Sequence, residues 1–127
     1  MSSFTKPLIV EVSDNGRSFI VKETFTYYRE NNEQEVLCVP KGFKTDFCSI
    51  PRIFWGIYPP LGGGTKRTSY GKCGVLHDAA YQFKWYSRKE CDKLFLEAMK
   101  CMGVGYITRY LFYYSVRLFA SKHYGKE

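Results

Sequence analysis

The stretch GKCGVLHDAAYQF, residues 71–83, places a histidine beside an aspartate in an apolar run that is predicted to be helical. Residues four apart share a helix face, so His77 and Tyr81 lie on one face, while Asp78 points about a quarter-turn away. Asp92 lies in the next predicted helix, and the short connection WYS allows the two helices to pack antiparallel. Its carboxylate can then meet the His77 ring, fix the tautomer and leave the other ring nitrogen as a general base. Asp78 is left to bind a hard cation.

Three helices are predicted in the second half of the chain. The first spans residues 72–85. The second begins at Ser87, where SRKE forms a capping box, and ends at Gly103. The third spans about 106–123, with one apolar face formed by Ile107, Tyr110, Leu111, Tyr114 and Leu118. Core packing is the first interpretation of its aromatic side chains, and a partner-binding face is the second.

The first forty residues favour β-structure. PLIVEV, SFIVKETFTYY and EVLCVP are rich in β-branched and aromatic residues, and SDNG supplies turn chemistry between the first two. The sequence therefore predicts a single α+β domain over residues 1–127. It consists of an antiparallel β-meander (1–40), a long irregular aromatic loop (41–70) and three helices packed as an antiparallel layer (71–127).

Composition limits the classes of function. Nineteen lysines and arginines against twelve acidic residues give a net charge of +7, which favours an anionic partner. Five cysteines cannot all pair within one chain, so free thiols in a reducing compartment are expected, and no spacing indicates a zinc site. No signal peptide or membrane-spanning run is visible, which predicts a soluble protein. The sequence contains no signal for an oligomeric state.

The His-Asp-x-x-Tyr run, followed by Cys-Asp on an antiparallel helix, resembles the active-site pair of secreted phospholipase A2 and of the related parvovirus capsid domain. The resemblance implies that His77 is the water-activating base, Asp78 a calcium ligand, Tyr81 a support for the buried carboxylate and Asp92 that carboxylate. Calcium is the one cofactor it implies. Further calcium ligands would be backbone oxygens of the loop YPPLGGGT, at Gly62, Gly63 and Gly64.

A second resemblance covers most of the chain. VPKGFKTDFCSIPR, PP, VLHDAAY, SRKECDKLFLEAM and YLFYYSVRLF are together similar to a family of small phage and prophage proteins, domain-of-unknown-function family 1353. Its hallmark residues here are Thr45, Asp46, Phe47, Ser49 and Pro51. The resemblance implies a phage origin, in the cytoplasm of an infected host or on the virion, and brings no established activity.

Asp46 and Ser49 are thereby added to the site candidates. Ser49 permits a Ser-His-Asp hydrolase, but TDFCSIP lacks the glycine-flanked turn that usually exposes a nucleophilic serine, so this interpretation ranks below water activation. Aromatic and basic residues of the loop form a candidate surface for an anionic membrane or a partner protein: Arg52, Phe54, Trp55, Tyr58, Lys66 and Arg67. Nucleic acid ranks third, because the arrangement is not repeated as in a nucleic-acid module.

Two hypotheses follow. The first is a phage-encoded enzyme, similar to phospholipase A2, that hydrolyses a phospholipid or another ester with His77 as base. The second is a non-catalytic phage accessory protein, either a virion component or an inhibitor that binds a host protein, in which the same cluster ties helix to loop. A cleft that opens at the His77 ring and also contains Asp78 and the backbone carbonyls of Gly62 to Gly64 favours the first hypothesis, and a sealed ring favours the second.

Overall fold

The computed structural model describes residues 3–4, 10–12, 19–29, 36–45 and 71–119. The chain divides into two compact units, Met1–Asp46 and Phe47–Glu127. The first contains the strands and the second the helices, so the predicted α+β class is confirmed. That the units form a single domain stays a prediction.

Six short strands form two three-stranded antiparallel sheets in the first unit. One sheet has the order β1-β4-β5 and the other has the order β2-β3-β6. The strands are β1 (Ser3–Phe4), β2 (Val10–Val12), β3 (Phe19–Val21), β4 (Phe25–Tyr28), β5 (Val36–Val39) and β6 (Lys44–Thr45).

The pairing of β4 with β5 brings the buried positions of the two strands opposite each other. Phe25 pairs with Val39 and Tyr27 with Leu37, and all four side chains are buried. Because side chains alternate between the two faces of a sheet, this register gives one apolar face. Phe4 of β1 extends it, with its ring centroid 4.7 Å from that of Tyr27.

The predicted meander differs from the observed sheets at its second strand. The stretch SFIVKETFTYY bends at residues 22–24 and supplies both β3 and β4, which belong to different sheets. Lys22, Glu23 and Thr24 are three consecutive exposed residues, which break the alternation that one continuous strand requires. The Thr24 hydroxyl also accepts a hydrogen bond from the Lys41 N–H at 2.9 Å. The pairings predicted between neighbouring segments, β2 with β3 and β4 with β5, are present.

Strand β6 lies inside the segment that was predicted to be irregular. A turn at Gly42, whose φ is 90°, precedes it, and the Gly42 N–H donates to the Val21 carbonyl at 2.7 Å. The Val21 N–H donates in turn to the Phe43 carbonyl at 2.9 Å. The positive φ of Gly42 is a left-handed backbone conformation, which suits glycine because glycine has no Cβ to clash. The remainder of the predicted aromatic loop lies outside the described residues.

The second unit contains α1 (Gly71–Phe83), α2 (Arg88–Cys101) and α3 (Tyr106–Phe119). Two short turns of the Schellman type connect them. In the first, Lys84 has a φ of 51° and the Trp85 N–H donates to the Ala80 carbonyl at 3.2 Å. In the second, Gly103 has a φ of 75° and the Val104 N–H donates to the Met99 carbonyl at 2.9 Å. These turns bring α2 against α1 and α3 against α2.

The three helices differ in how much surface they leave exposed. Between residues 71 and 81, every residue of α1 except Lys72 is buried. On α3 the buried side chains are Phe112, Ser115 and Val116. The face predicted from apolar spacing on α3 is instead largely exposed, since Ile107, Tyr114 and Leu118 all face outward. This helix has apolar side chains on all of its faces, so spacing alone does not determine which face is buried.

Four cysteines in the described segments, Cys38, Cys73, Cys91 and Cys101, are free thiols, as predicted for these positions. Burial raises the pKa of the Cys73 thiol, which keeps that group protonated and unreactive. Among the described residues, no helix combines the length and apolar character needed to cross a bilayer.

Candidate functional site

The carboxylate of Asp92 is the centre of a polar cluster to which all three helices contribute. His77 Nε2 lies 2.7 Å from Asp92 Oδ1, and the Tyr81 hydroxyl donates to the same oxygen at 2.5 Å. Arg117 Nη1 donates to the other carboxylate oxygen, Oδ2, at 2.8 Å. His77, Tyr81 and Asp92 have no solvent exposure.

Local sequence features place these groups. The Ser87 hydroxyl accepts a hydrogen bond from the Glu90 N–H at 3.3 Å and caps α2, so Asp92 lies in the second turn of that helix. His77 and Tyr81 share a face of α1, and their ring centroids are 4.2 Å apart. The Phe95 ring of α2 lies 4.8 Å from the imidazole centroid. Two aromatic rings therefore restrict the orientation of the imidazole.

Arg88 connects the beginning of α2 to the end of α3. Its Nη2 donates to the Val116 carbonyl at 2.8 Å and to the Arg117 carbonyl at 2.6 Å. Both carbonyls lie in the last turn of α3, so this contact ties the beginning of α2 to that turn. It also fixes the backbone of Arg117, the residue that pairs with Asp92. Arg88 is therefore a positioning residue for the cluster.

The surroundings of Asp92 stabilise its charged form. Burial alone would raise the pKa of this carboxyl, but the hydrogen bonds from His77, Tyr81 and Arg117 outweigh it and hold the pKa below the ordinary value of 3.8. The hydrogen bond to Asp92 also raises the pKa of Arg117. A buried carboxylate paired in this way remains ionised at neutral pH.

The arrangement defines which imidazole nitrogen could act as a base. An ionised carboxylate only accepts hydrogen bonds, so Nε2 donates its hydrogen to Asp92 Oδ1. In the neutral ring, Nδ1 then carries the lone pair and can take a proton. A base oriented by a carboxylate is the arrangement that water activation requires.

The cation site implied by sequence resemblance is not formed by the described residues alone. Asp78 is buried on α1 and is only 3% exposed. The described segments contain no group of three or more histidine, cysteine, aspartate or glutamate side chains that could hold a metal ion. The predicted backbone ligands, Gly62, Gly63 and Gly64, lie outside those segments. Calcium binding therefore stays a prediction.

The structure brings together three of the predicted site residues, His77, Tyr81 and Asp92. Their catalytic role stays a prediction. Asp78 lies on α1, and the remaining predicted residues lie outside the described segments: Asp46, Ser49, Arg52, Phe54, Trp55, Tyr58, Gly62, Gly63, Gly64, Lys66 and Arg67. Sequence reasoning missed the part played by Arg117 and Arg88. The signal for Arg117 was its charge within the apolar run YLFYYSVRLF.

Fold and site define the chain as an α+β protein whose helical unit contains a buried His-Asp-Tyr cluster paired with a partly exposed arginine. It belongs to the family described as Protein of unknown function (DUF1353), whose model matches residues 19–116, well over half of the chain. The matched segment includes His77, Tyr81 and Asp92 and ends one residue before Arg117. Searches of curated proteins and of solved structures give no significant match.

The Tyr81 hydroxyl gives the cluster a testable dependence on alkaline pH. Burial and the hydrogen bond to Asp92 raise the pKa of Tyr81 far above its ordinary value of 10.0. The unfolded chain therefore loses this proton first as the pH rises, so the stability contributed by Tyr81 is complete below about pH 10 and declines above it. We expect Tyr81→Phe to lower the free energy of unfolding at pH 8 by about 1–2 kcal/mol.

Urea unfolding of wild type and Tyr81→Phe at several pH values between 8 and about 11 measures this effect. The difference between the two proteins should narrow above about pH 10, by at most about 1.4 kcal/mol per pH unit. The exposed Tyr28, replaced by phenylalanine, is the matched control and should behave as wild type. A difference that stays constant with pH would show that Tyr81 does not titrate as described.

Proposed function

We propose that this protein hydrolyses a carboxylic ester, with His77 as the general base that activates water. The observation that carries the proposal is the pattern of hydrogen bonds that the Asp92 carboxylate accepts. One oxygen accepts from His77 Nε2 and from Tyr81, and the other accepts from Arg117. Because Arg117 neutralises Asp92, the imidazole does not have to be protonated to balance the buried carboxylate. In the proposed reaction its Nδ1 is the atom that takes the proton.

The proton transfers of the proposed reaction use only side chains of this chain. His77 Nδ1 takes a proton from water while the water oxygen bonds to the ester carbonyl carbon. The π pair of the carbonyl moves onto its oxygen and re-forms the double bond when the alkoxy group leaves. Asp92 stabilises the imidazolium that forms, as a carboxylate does beside a catalytic histidine. When the bond between the carbonyl carbon and the alkoxy oxygen breaks, the imidazolium returns the proton to the departing alcohol. Base and carboxylate thus end the cycle in their starting states.

A phospholipid is the proposed substrate class. The net charge of +7 favours an anionic surface, and the spacing of His77, Asp78 and Tyr81 is that of the phospholipase A2 resemblance. Asp78 and the backbone of Gly62, Gly63 and Gly64 are the proposed ligands of a calcium ion, which would supply electrophilic assistance at the ester carbonyl. A phage origin is part of the proposal, with action inside the infected host or from the virion.

A second candidate function is a non-catalytic phage accessory protein that binds a host or virion protein. A sealed His77 ring is the feature expected for this function, and His77, Tyr81 and Asp92 have no solvent exposure. A sealed imidazole cannot receive water, and buried polar networks also serve to fix one packing arrangement. Under this alternative the cluster is architectural, and the first function requires a movement that uncovers His77 Nδ1.

The deciding experiment measures hydrolysis of phosphatidylglycerol vesicles during a calcium titration. The first function predicts fatty-acid release by wild type that depends on calcium. Asp78→Asn should need about tenfold more calcium or more for the same rate, because it removes a charged ligand. Lys93→Ala, an exposed change on α2, is the control and should match wild type. If the wild type shows no turnover and binds no calcium, the proposal is overturned and the accessory function is left.

A further inference from the structure

The outward face of α3 is an exposed apolar stripe that the proposed chemistry does not use. The stripe consists of the exposed Ile107, Tyr114 and Leu118 together with the half-buried Leu111, at successive intervals of four, three and four residues. Ile107 is 78% exposed, Tyr114 57% and Leu118 71%. Large apolar side chains that are exposed next to one another on one helix face often mark an interaction surface.

A row of tyrosine rings borders the stripe. The centroids of Tyr106 and Tyr110 are 4.9 Å apart, and those of Tyr110 and Tyr114 are 6.2 Å apart. The Arg109 guanidinium lies 5.4 Å from the Tyr106 centroid and 5.7 Å from that of Tyr110. Tyrosine combines an apolar ring with a polar hydroxyl, which suits the boundary between lipid headgroups and acyl chains.

Charge distinguishes the possible occupants of the stripe. The helix α3 contains no acidic residue and two basic ones, Arg109 and Arg117, of which Arg117 is paired with Asp92. A second copy of the chain, also carrying a net charge of +7, would be repelled by this charge. An anionic surface instead attracts the basic residues while the apolar side chains are buried.

We propose that the stripe on α3 docks the protein on a bilayer that contains anionic phospholipid. Ile107, Leu111 and Leu118 enter the acyl boundary, and the tyrosine row lies at the level of the headgroups. This inference deepens the proposed function and rests on it, because it names the surface through which the enzyme meets its substrate. Docking itself needs no turnover, so the two can fail separately.

The test measures binding to sonicated vesicles of phosphatidylglycerol and phosphatidylcholine, by co-sedimentation of the full chain. We expect wild type to bind and Ile107→Ser/Tyr114→Ser/Leu118→Ser to bind at least about tenfold more weakly, equivalent to about 1.4 kcal/mol. These three side chains are exposed, so the variant should keep the wild-type circular dichroism spectrum and unfolding midpoint. Val36→Ser, an equally exposed change on β5, is the matched control and should bind as wild type.

Two results would overturn the docking proposal. One is equal binding by wild type and the triple variant, or no binding by either. The other is sedimentation equilibrium showing that wild type self-associates through the stripe while it fails to bind vesicles, which would make a second copy the occupant. Binding that depends on the stripe, in a wild type that releases no fatty acid, would keep the docking surface and reject the esterase. Hydrolysis of a soluble ester by a wild type that does not bind vesicles would keep the esterase and reject the docking surface.

Discussion

Replacing Asp92 by alanine is expected to lower the free energy of unfolding by about 3–5 kcal/mol, the usual cost of removing one partner from a buried ion pair. The change leaves three groups without their acceptor: His77 Nε2, the Tyr81 hydroxyl and the Arg117 guanidinium. Two of these groups are completely buried, so water cannot replace the lost carboxylate. Urea unfolding followed by circular dichroism at pH 7 measures the loss.

Lys93→Ala is the matched control for Asp92→Ala, because Lys93 is the next residue on the same helix and its side chain is half exposed. The Lys93→Ala change should alter the free energy of unfolding by no more than about 0.5 kcal/mol. The difference in the free energy of unfolding between wild type and Asp92→Ala should also depend on pH. Since the folded pKa of Asp92 lies below 3.8, its contribution is complete above that value and is lost as the pH falls through the folded pKa. A loss below about 1 kcal/mol at pH 7 would contradict the central role of Asp92.

Replacing His77 by glutamine is expected to reduce kcat for ester hydrolysis by about 10²–10⁴-fold, the usual contribution of a general base. The glutamine amide can still donate to Asp92, so the cluster loses its base while it keeps a hydrogen-bond donor to the carboxylate. KM should change little, because the proton transfer takes place in the transition state. Initial rates on phosphatidylglycerol vesicles, together with urea unfolding of the same variant, separate chemistry from folding.

The two candidate functions predict different patterns for His77→Gln. The esterase predicts a large loss of rate with a loss of stability smaller than that of Asp92→Ala. The accessory protein predicts an effect on stability alone, in a wild type that does not turn over the ester. A variant that keeps wild-type kcat would show that His77 is not the base.

The sequence was sufficient for the features that depend on local chemistry. Ser87 and Glu90 predicted where α2 begins, and that starting point determined the position of Asp92 relative to His77. Gly103 predicted the end of α2 for an equally local reason, since its positive φ is tolerated best by glycine. The contact between His77 and Asp92 followed from two short-range signals and one short connection.

The features that depend on contacts distant in sequence could not be read in the same way. Arg117 lies 25 residues after Asp92, and no periodicity links the two positions. The buried face of α3 was misjudged because Phe112 and Val116 on one side are as apolar as Ile107 and Leu118 on the other. The division of the strands into two sheets depended on a bend whose residues, Lys22 to Thr24, carry no strong turn signal.

The burial of α1 has a consequence for hydrogen exchange. From Cys73 to Tyr81 every residue of this helix is buried, whereas α3 has one bare face. The amides of α1 can therefore reach solvent only when the helical unit opens as a whole, while those of α3 can also exchange through partial openings. We therefore expect the amides around His77 on α1 to exchange more slowly than those around Arg117 on α3.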